Sequence, residues 1–310
     1  MIQAESLTKT FGAFTAVDSL SFEIGQGQIV GFIGPNGAGK TTTMRMLAGF
    51  LPATEGRATI CGHDVFEDPM SVRRCIGYLP ETPPLYKELS IGEYLRFIAE
   101  VREVPRADRL GRMGDVMERV GLDRMEHRLL GSLSKGYRQR VGLAQAIIHD
   151  PAVLILDEPT SGLDPRQLKG IRRFIQNLAE DRTVILSTHI LSEVEALADR
   201  AIVIDNGAIR ADGTLAELAN RVGDGVRFRV ELKGADAVVI ARAMGALEPV
   251  SLVEPQGEAG DGLAFDVRAT RDPRTAIAGL ATSEGWEVRA MERHAPDLEE
   301  AFLHLVGDES

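Results

Sequence analysis

The chain has 310 residues, 44% of them hydrophobic and 26% charged, which allows two domains with the composition of an ordinary globular protein. Its longest apolar run, residues 152–156, is too short to cross a bilayer, and no leader segment is recognisable, so we expect neither secretion nor membrane insertion. The two cysteines suit a reducing cytosol, and the net charge of −11 argues against a nucleic-acid partner.

The first recognisable chemistry lies in residues 28–50. An apolar run at 28–33 predicts a buried strand, and 40–50 predicts a helix that ends near Gly49. Between them, 34-GPNGAGKT-41 matches the phosphate loop G-x-x-x-x-G-K-[ST], whose glycines let backbone N–H groups point at an anion beside a helix N-terminus. A glycine-rich turn without a ligand is the alternative, but the strand–loop–helix setting favours phosphate binding.

The chemistry of each side chain suggests its role in this loop. Lys40 is expected to contact the β- and γ-phosphates of a nucleotide, and the Thr41 hydroxyl to bind Mg²⁺. Thr42 can add a phosphate contact. The predicted nucleotide-binding residues of the loop are Gly34, Pro35, Asn36, Gly37, Ala38, Gly39, Lys40, Thr41 and Thr42.

Residues 82–150 predict a helical subdomain inserted between two halves of an α/β core. Ser90 and Glu93 form a capping box before a helix at 91–104, and a second helix is predicted over 107–122. The first helix is expected to carry Tyr94, Ile98 and Val101 on one face.

A third helix of this subdomain is predicted over 135–148, directly after Ser134. Serine is a preferred N-cap residue, so capping alone would explain Ser134. The apolar residues of this helix recur at helical spacing and predict one buried face, formed by Val141, Ala144 and Ile148.

Two acids and a histidine follow the next strands. The apolar strand 152–156 ends in Asp157 and Glu158, and the strand 183–188 ends at His189. An acid can simply terminate a strand, and a lone histidine is more often a core or loop residue. Ligands of open α/β sheets, however, lie at the carboxyl ends of the strands. We therefore predict that Asp157 holds Mg²⁺, that Glu158 deprotonates an attacking water, and that His189 is functional.

The C-terminal part predicts a different unit. Asn206-Gly207 is typical of a type I′ hairpin turn near the end of the core. Beyond it, the order strand, helix, strand, strand, helix, strand, helix suggests a small α+β domain of the ferredoxin-like type, with Trp286 in its core. The predicted domains are 1–220, with the chemistry, and 221–310, with a regulatory or dimer-stabilising role.

The motifs together resemble the ATP-binding-cassette (ABC) ATPases, the nucleotide-binding subunits of ABC transporters. The phosphate loop, the acid pair and His189 stand in the family's order, within roughly residues 1–220. The segment 133-LSKGYRQR-140 resembles the LSGGQ signature, and 161-SGLD-164 follows the acid pair. An aromatic residue, Phe11, stands where the family places one to stack on adenine.

The resemblance implies a fold, a cofactor and partners. The fold would be a P-loop NTPase core of the ABC type, and the cofactors ATP and Mg²⁺. ATP would lie between two copies of the chain, with Ser134 and Gly136 of one copy addressing the γ-phosphate bound by the other. Asp164 would lie at this homodimer interface, with helix N-capping as its alternative role.

The same resemblance implies a place in the cell. The transmembrane subunit would be a separate permease chain, contacted through residues 82–90, so this chain would lie in the cytoplasm at the inner face of the membrane. The ending at 297–305 and the variant 77-GYLPE-81 resemble ATPases of ABC-2 type exporters. A soluble ABC ATPase of translation or DNA repair is the alternative, but the single cassette and the acidic charge favour the transporter.

Three residues depart from the family's pattern. Lys135 and Tyr137 replace the glycine and glutamine of LSGGQ, and altered binding strength with retained function is expected. Glu81 stands where a glutamine is usual. Its carboxylate can still approach Mg²⁺ or the attacking water, although it adds negative charge near the triphosphate.

Overall fold

The computed structural model describes residues 1–219, 226–294 and 298–307. They form two compact units, Met1–Leu215 together with the end of the last helix from Leu305, and Ala216–His304. The predicted domain boundary, between residues 220 and 221, lies outside the described residues.

The first unit contains two sheets. One has six strands in the order β10-β9-β3-β8-β7-β6, parallel except for β10, and the other is antiparallel in the order β2-β1-β4-β5. The strands are β1 (Ile2–Phe11), β2 (Phe14–Ile24), β3 (Ile29–Ile33), β4 (Glu55–Ile60), β5 (His63–Asp64), β6 (Ile76–Leu79), β7 (Val153–Asp157), β8 (Thr183–Thr188), β9 (Arg200–Asp205) and β10 (Ala208–Thr214).

The central strands are mostly apolar because helices or the second sheet cover both faces of the six-stranded sheet, and their polar residues stand at the strand ends. In β7, Leu154 and Leu156 pack in the core with the helical subdomain, while Val153 and Ile155 pack in the core with the first helix and the antiparallel sheet. Because both faces of β7 pack against apolar side chains, its polar side chain stands at the carboxyl end of the strand, at Asp157.

The predicted helices of the first unit are present. The capping box of Ser90 and Glu93 is formed, and Ser134 caps the third helix of the subdomain. The helices of this unit are α1 (Lys40–Leu47), α2 (Pro69–Cys75), α3 (Ile91–Val101), α4 (Arg109–Arg119), α5 (Lys135–Ile147), α6 (Pro165–Ala179) and α7 (Leu191–Leu197). The next helix, α8 (Leu215–Ala219), begins at Leu215 and otherwise belongs to the second unit.

The predicted apolar face of α3 is buried only in part. Val101 is 60% exposed, whereas Tyr94 is buried and Ile98 is half-buried. The chain turns back at Glu103, which has a φ of +58°, and Val104 is buried instead. A helical repeat therefore located the apolar face of α3 but could not show where the helix leaves the core.

The second unit has the ferredoxin-like topology that the sequence predicted. Its antiparallel sheet has the order β12-β13-β11-β14, and Phe228, Val230 and Phe265 form its buried core, with Trp286 half-buried against it. The elements are β11 (Val226–Lys233), α9 (Ala237–Gly245), β12 (Val250–Ala259), β13 (Gly262–Ala269), α10 (Arg274–Glu284), β14 (Glu287–His294) and α11 (Leu298–Gly307).

The hairpin at Asn206-Gly207 is also as predicted, with two residues of positive φ between β9 and β10. Within the described residues, none of the helices combines the length and the hydrophobicity needed to cross a membrane.

Candidate functional site

The glycine loop between β3 and α1 has the backbone of an anion cradle. Gly37 and Gly39 have φ values of +86° and +103°, a region that residues with a Cβ rarely adopt. A Cβ on Gly34 would lie 2.2 Å from the carbonyl oxygen of Ile204, so this position also requires glycine. Among the described residues, no side chain caps the start of α1, so its first N–H groups are available to an anion.

A cavity of about 560 Å³ opens above this loop. Nine of the predicted site residues line it: Asn36, Gly37, Gly39, Lys40, Thr41, Thr42, Glu81, Glu158 and His189. Phe14, Ala16 and Ser161 also line it and were not predicted. Ala38 is buried, and Gly34 and Pro35 face the lysine through their carbonyl groups.

Lys40 is held as a buried cation. Its Nζ donates to the carbonyl oxygens of Gly34 and Pro35 at 2.7 and 3.0 Å and lies 4.0 Å from a carboxylate oxygen of Glu158. Burial lowers the pKa of Lys40 below its ordinary value, and the nearby carboxylates, Glu158 first, oppose this shift. The charge is therefore fixed at the end of the loop, where the phosphates of a nucleotide would lie.

Asp157 is fully buried at the end of β7. Its Oδ1 accepts hydrogen bonds from Ser187 Oγ at 2.6 Å and Thr41 Oγ1 at 3.1 Å. Burial raises the pKa of Asp157, while both hydroxyl donors oppose the increase. Its Oδ2 is also buried and has no hydrogen-bond partner among the described residues. Asp157 itself does not line the cavity, but its hydrogen-bond partner Thr41 does.

Glu158 and His189 form a pair at the cavity wall. His189 Nδ1 lies 2.9 and 3.0 Å from the two carboxylate oxygens of Glu158. Glu158 is 7% exposed and has a φ of +48°, so its backbone is strained while its side chain faces the cavity. This pair can accept and hold a proton, as general-base chemistry requires.

The turn that carries His189 is held by a buried carboxylate that sequence reasoning missed. Thr188 Oγ1 donates to Glu193 Oε2 at 2.8 Å and accepts from the N–H of Ile190 at 3.1 Å, so these bonds bracket His189. Glu193 is 1% exposed. Its place five residues after Thr188, on one turn of α7, was a weak signal in the sequence.

The residues present fit Mg²⁺. The Thr41 hydroxyl and the free Oδ2 of Asp157 are hard oxygen donors beside the phosphate cradle, and Glu81 lines the same cavity. Among the described residues, no group of three or more His, Cys, Asp or Glu could hold a metal by itself. An ion here would therefore need nucleotide oxygens as well, which is usual for Mg²⁺.

Of the two phenylalanines that flank the turn of the β1–β2 hairpin, Phe14 lines the cavity. Phe11, the predicted adenine partner, is paired with Phe14 across the hairpin and is half exposed, with Lys9 Nζ 5.3 Å from the centre of its ring. The resemblance at Phe11 thus pointed to this hairpin, but it did not show whether Phe11 or Phe14 would face the cavity.

The signature helix α5 begins outside the cavity. Ser134 and Lys135 are exposed, and a Cβ on Gly162 would lie 2.3 Å from Lys135 Nζ. Gln139 Nε2 donates to the carbonyl oxygen of Pro159 at 3.0 Å. The start of α5 therefore packs on the segment that follows Glu158 in the same chain.

Two further predicted residues lie beside this contact. Gly136 is buried, and a Cβ there would lie 2.4 Å from the Gln167 side chain. Asp164 Oδ1 accepts the Gln167 N–H at 2.9 Å, which confirms that Asp164 caps α6. Neither residue lines the cavity.

Comparison with known proteins places this geometry among nucleotide-binding subunits. The family model described as ABC transporter matches residues 17–161. The linearmycin resistance ATP-binding protein LnrL of Bacillus subtilis is 31% identical over 99% of this chain and 98% of its own length. The bacitracin transport ATP-binding protein BcrA of Bacillus licheniformis is 41% identical over 67% of this chain and 68% of its own. A solved structure of an ATP-binding subunit of an ABC transporter aligns with a TM-score of 0.66 and 30% identity, over 71% of this chain and 92% of that one.

Proposed function

Because this chain belongs to the ABC transporter ATP-binding proteins and is an ATPase subunit of that family, we propose that it powers export of the ABC-2 type through a separate permease chain. The observation that carries the site assignment is the convergence of Lys40, Thr41, Glu158 and His189 on one cavity above a glycine loop.

In the proposed reaction, the phosphates of ATP lie on the N–H groups of the loop and beside Lys40 Nζ. Glu158 accepts the proton of the attacking water, and His189 holds the Glu158 carboxylate through its 2.9 Å contact. Phe14 and Phe11 are the candidate partners of the adenine ring, because both belong to the exposed hairpin beside the cavity and aromatic rings stack on bases.

Mg²⁺ would be held by Thr41 and Asp157, with Glu81 as a third candidate at the cavity wall. Bound there, it would neutralise charge that develops on the phosphates. Within this chain, the hydroxyl of Thr41 and the carboxylate of Asp157 are already joined by a 3.1 Å hydrogen bond, which supports their use as one unit.

We further propose that two copies of the chain bind ATP between them. The exposed N-terminus of α5, with Ser134 as its cap, lies outside its own chain's cavity and is available to a phosphate held by another copy. Gly136 and Asp164 stand beside it and would belong to the same interface.

A permease would contact residues 82–90, where Tyr86 is 53% exposed and its ring meets the exposed ring of Phe97. The ATPase would then lie at the cytoplasmic face of the membrane. Replacing Tyr86 by alanine is expected to reduce co-purification with the permease, whereas Val238→Ala, at an exposed apolar position of the second unit, is expected to leave it unchanged.

The second unit, predicted as residues 221–310, is proposed to regulate the ATPase or to stabilise its dimer. The alternative function, a soluble ABC ATPase of translation or DNA repair, has no support from the transport and resistance proteins that this chain resembles. Recovery of the chain with ribosomes and without a membrane protein would favour that alternative.

The dimer is tested with Glu158→Gln in saturating ATP and Mg²⁺, because slowed hydrolysis should trap the pair in size-exclusion chromatography. A matched variant adds Ser134→Asp, which caps a helix as well as serine does but places a negative charge against the partner's γ-phosphate. We expect the single variant to dimerise and the double variant to remain monomeric. A monomeric Glu158→Gln chain, even with its permease, would contradict the proposed ATP-bound dimer.

A further inference from the structure

We propose that Ser187 is a positioning residue whose hydroxyl orients both acids of the site, directing Asp157 toward Mg²⁺ and holding Glu158 in place. This inference rests on the proposed function, because it assigns a role within the same ATP site. Ser187 lies in the apolar strand β8 and is fully buried.

The strand register brings Ser187 to the acid pair. Ser187 is the direct partner of Asp157 in the parallel pairing of β7 with β8. Its Oγ lies 2.6 Å from Asp157 Oδ1 and 3.0 Å from the backbone nitrogen of Glu158. One buried hydroxyl therefore contacts both acids, through the side chain of one and the main chain of the other.

The direction of these two bonds follows from their donors. The N–H of Glu158 can only donate, so Ser187 Oγ accepts it. A hydroxyl has one proton, and that proton is left for Asp157 Oδ1. The Glu158 N–H thus donates to Ser187 Oγ, and the Ser187 hydroxyl donates to the Asp157 carboxylate. This arrangement favours the ionised form of Asp157.

The same bonds decide which oxygen of Asp157 is available. Ser187 and Thr41 both donate to Oδ1, whereas Oδ2 is buried without a partner among the described residues. Turning the carboxylate out of this orientation would break both hydrogen bonds, and a half-turn would only exchange its two equivalent oxygens. Ser187 thereby keeps Oδ2 presented as the acceptor for the ion or for a water bound to it.

Glu158 depends on Ser187 in a second way. Its φ of +48° is unfavourable for a residue with a side chain, so neighbouring contacts must maintain it. The N–H of Glu158 lies 3.1 Å from the carbonyl oxygen of Ser187 and 3.0 Å from its hydroxyl. Removing the hydroxyl removes one of these two contacts of the Glu158 N–H and so weakens the hold on the backbone of the proposed general base.

The test measures how much Mg²⁺ the full-length chain needs to tighten binding of a fluorescent ATP analogue. Ser187→Ala is expected to bind the analogue without Mg²⁺ within about twofold of the wild type, because the glycine loop is untouched. The Mg²⁺ concentration for half-maximal tightening is expected to rise about ten- to a hundredfold, as for other residues that orient metal ligands. Ser187→Thr, which keeps the hydroxyl, is expected to restore it to within about threefold.

Thr183→Val is the matched control. Thr183 is a fully buried hydroxyl at the other end of β8, where it accepts the Gly27 N–H and donates to the carbonyl of Gly25. The variant should lose stability comparably but keep the wild-type Mg²⁺ requirement. If Ser187→Ala does not fold, Ser187→Cys, of similar volume and with a weak donor, is expected to give the same shift.

Three results would overturn the inference. A Ser187→Ala chain with the wild-type Mg²⁺ requirement would show that the hydroxyl does not orient the ligand, while leaving the proposed function intact. An equal shift in Thr183→Val would assign the effect to loss of stability. If the wild type itself binds the analogue without any response to Mg²⁺, the metal assignment of the proposed function fails as well.

Discussion

The two units of this protein differ in the burial of their charged side chains. In the first, Lys40, Asp157, Glu158 and Glu193 are buried. Among the described residues of the second, Asp266 is the only buried charged side chain, and Arg227 Nε donates to both of its oxygens at 2.8 and 2.6 Å. The other pairs of the second unit, such as Arg274 with Asp272, are mostly at the surface.

This difference separates a reacting region from a scaffold. Burying a charge is costly unless it is paired and hydrogen-bonded, and the second unit meets that condition at Asp266. The first unit does not meet it fully, because Asp157 Oδ2 and Glu193 Oε1 have no partners among the described residues. Incomplete pairing of a buried acid beside a cavity is expected where a ligand completes its contacts. We therefore interpret the unpaired Oδ2 of Asp157, whose hydrogen-bond partner Thr41 lines the cavity, as functional, whereas the paired Asp266 serves stability.

Lys40→Met tests this contrast most strongly. We expect ATP hydrolysis to fall at least about a hundredfold, because a fixed cation beside the phosphates is lost. The unfolding free energy without nucleotide should change little, since an apolar side chain avoids the burial cost of the ammonium. Phosphate release and urea unfolding measure the two effects.

Lys233→Met is the control in the second unit, where Lys233 pairs with Asp261 at the surface. It should keep hydrolysis within about twofold of the wild type. Equal losses in the two variants would remove the distinction between the units.

His149 shows that a half-buried ionisable group of the first unit can also affect stability. It lies at the end of α5 with Nε2 2.9 Å from the carbonyl of Ile76, and burial lowers its pKa to about 4. The folded protein therefore binds fewer protons here than the unfolded chain, whose histidine has a pKa near 6.5. Above about pH 6.5, the titration of His149 should not lower the unfolding free energy. As the pH drops from there toward 4, the contribution of this group should reduce the unfolding free energy by about 2 to 3 kcal/mol.

Comparing the wild type with His149→Gln by urea unfolding from pH 7 to 4 isolates this contribution. The wild type should lose more stability than the variant over this range. Parallel curves would show that His149 titrates normally in the folded protein.

Asp266→Asn examines the buried charge found among the described residues of the second unit. Losing the carboxylate from a paired, buried site should lower the unfolding free energy of this unit by about 2 kcal/mol, while ATP hydrolysis at a permissive temperature stays within about twofold. The exposed Asp272→Asn should leave the unfolding free energy close to that of the wild type. A large loss of hydrolysis in Asp266→Asn would give this unit a direct part in the ATP site.

Glu81→Gln should have the smallest effect. Glu81 is exposed and lines the cavity. Its charge acts to raise the pKa of Lys40 and of Asp157. We expect hydrolysis to stay within about tenfold of the wild type, with Glu88→Gln in the same segment unchanged. A loss of hydrolysis beyond about a thousandfold would show that Glu81 is a principal catalytic group. The reacting region would then include the exposed edge of the cavity.

Local patterns accounted for most of the site. The glycine loop, the acid pair and the capped signature helix are contiguous segments whose backbone needs are visible in the sequence, and the cavity contains Lys40, Thr41, Glu158 and His189 as predicted. The resemblance of the motif order identified the family before any geometry was considered.

Other features could not be read locally. Ser187 is an ordinary strand residue until the register of β7 and β8 places it against Asp157. The choice of Phe14 over Phe11 in the cavity wall depends on which way the hairpin residues face, and the exposure of Val101 depends on where α3 leaves the core.

The sequence by itself determined the phosphate loop, the acids and histidine that end the strands, and the order of elements in both units. These follow from short-range requirements, such as positive φ at glycine, helix capping and the repeat of apolar residues. The tertiary structure alone decided which oxygen of Asp157 is free and which hydroxyl holds it. Those are properties of contacts between strands about thirty residues apart, and strand register is set by packing of the whole sheet rather than by any one segment.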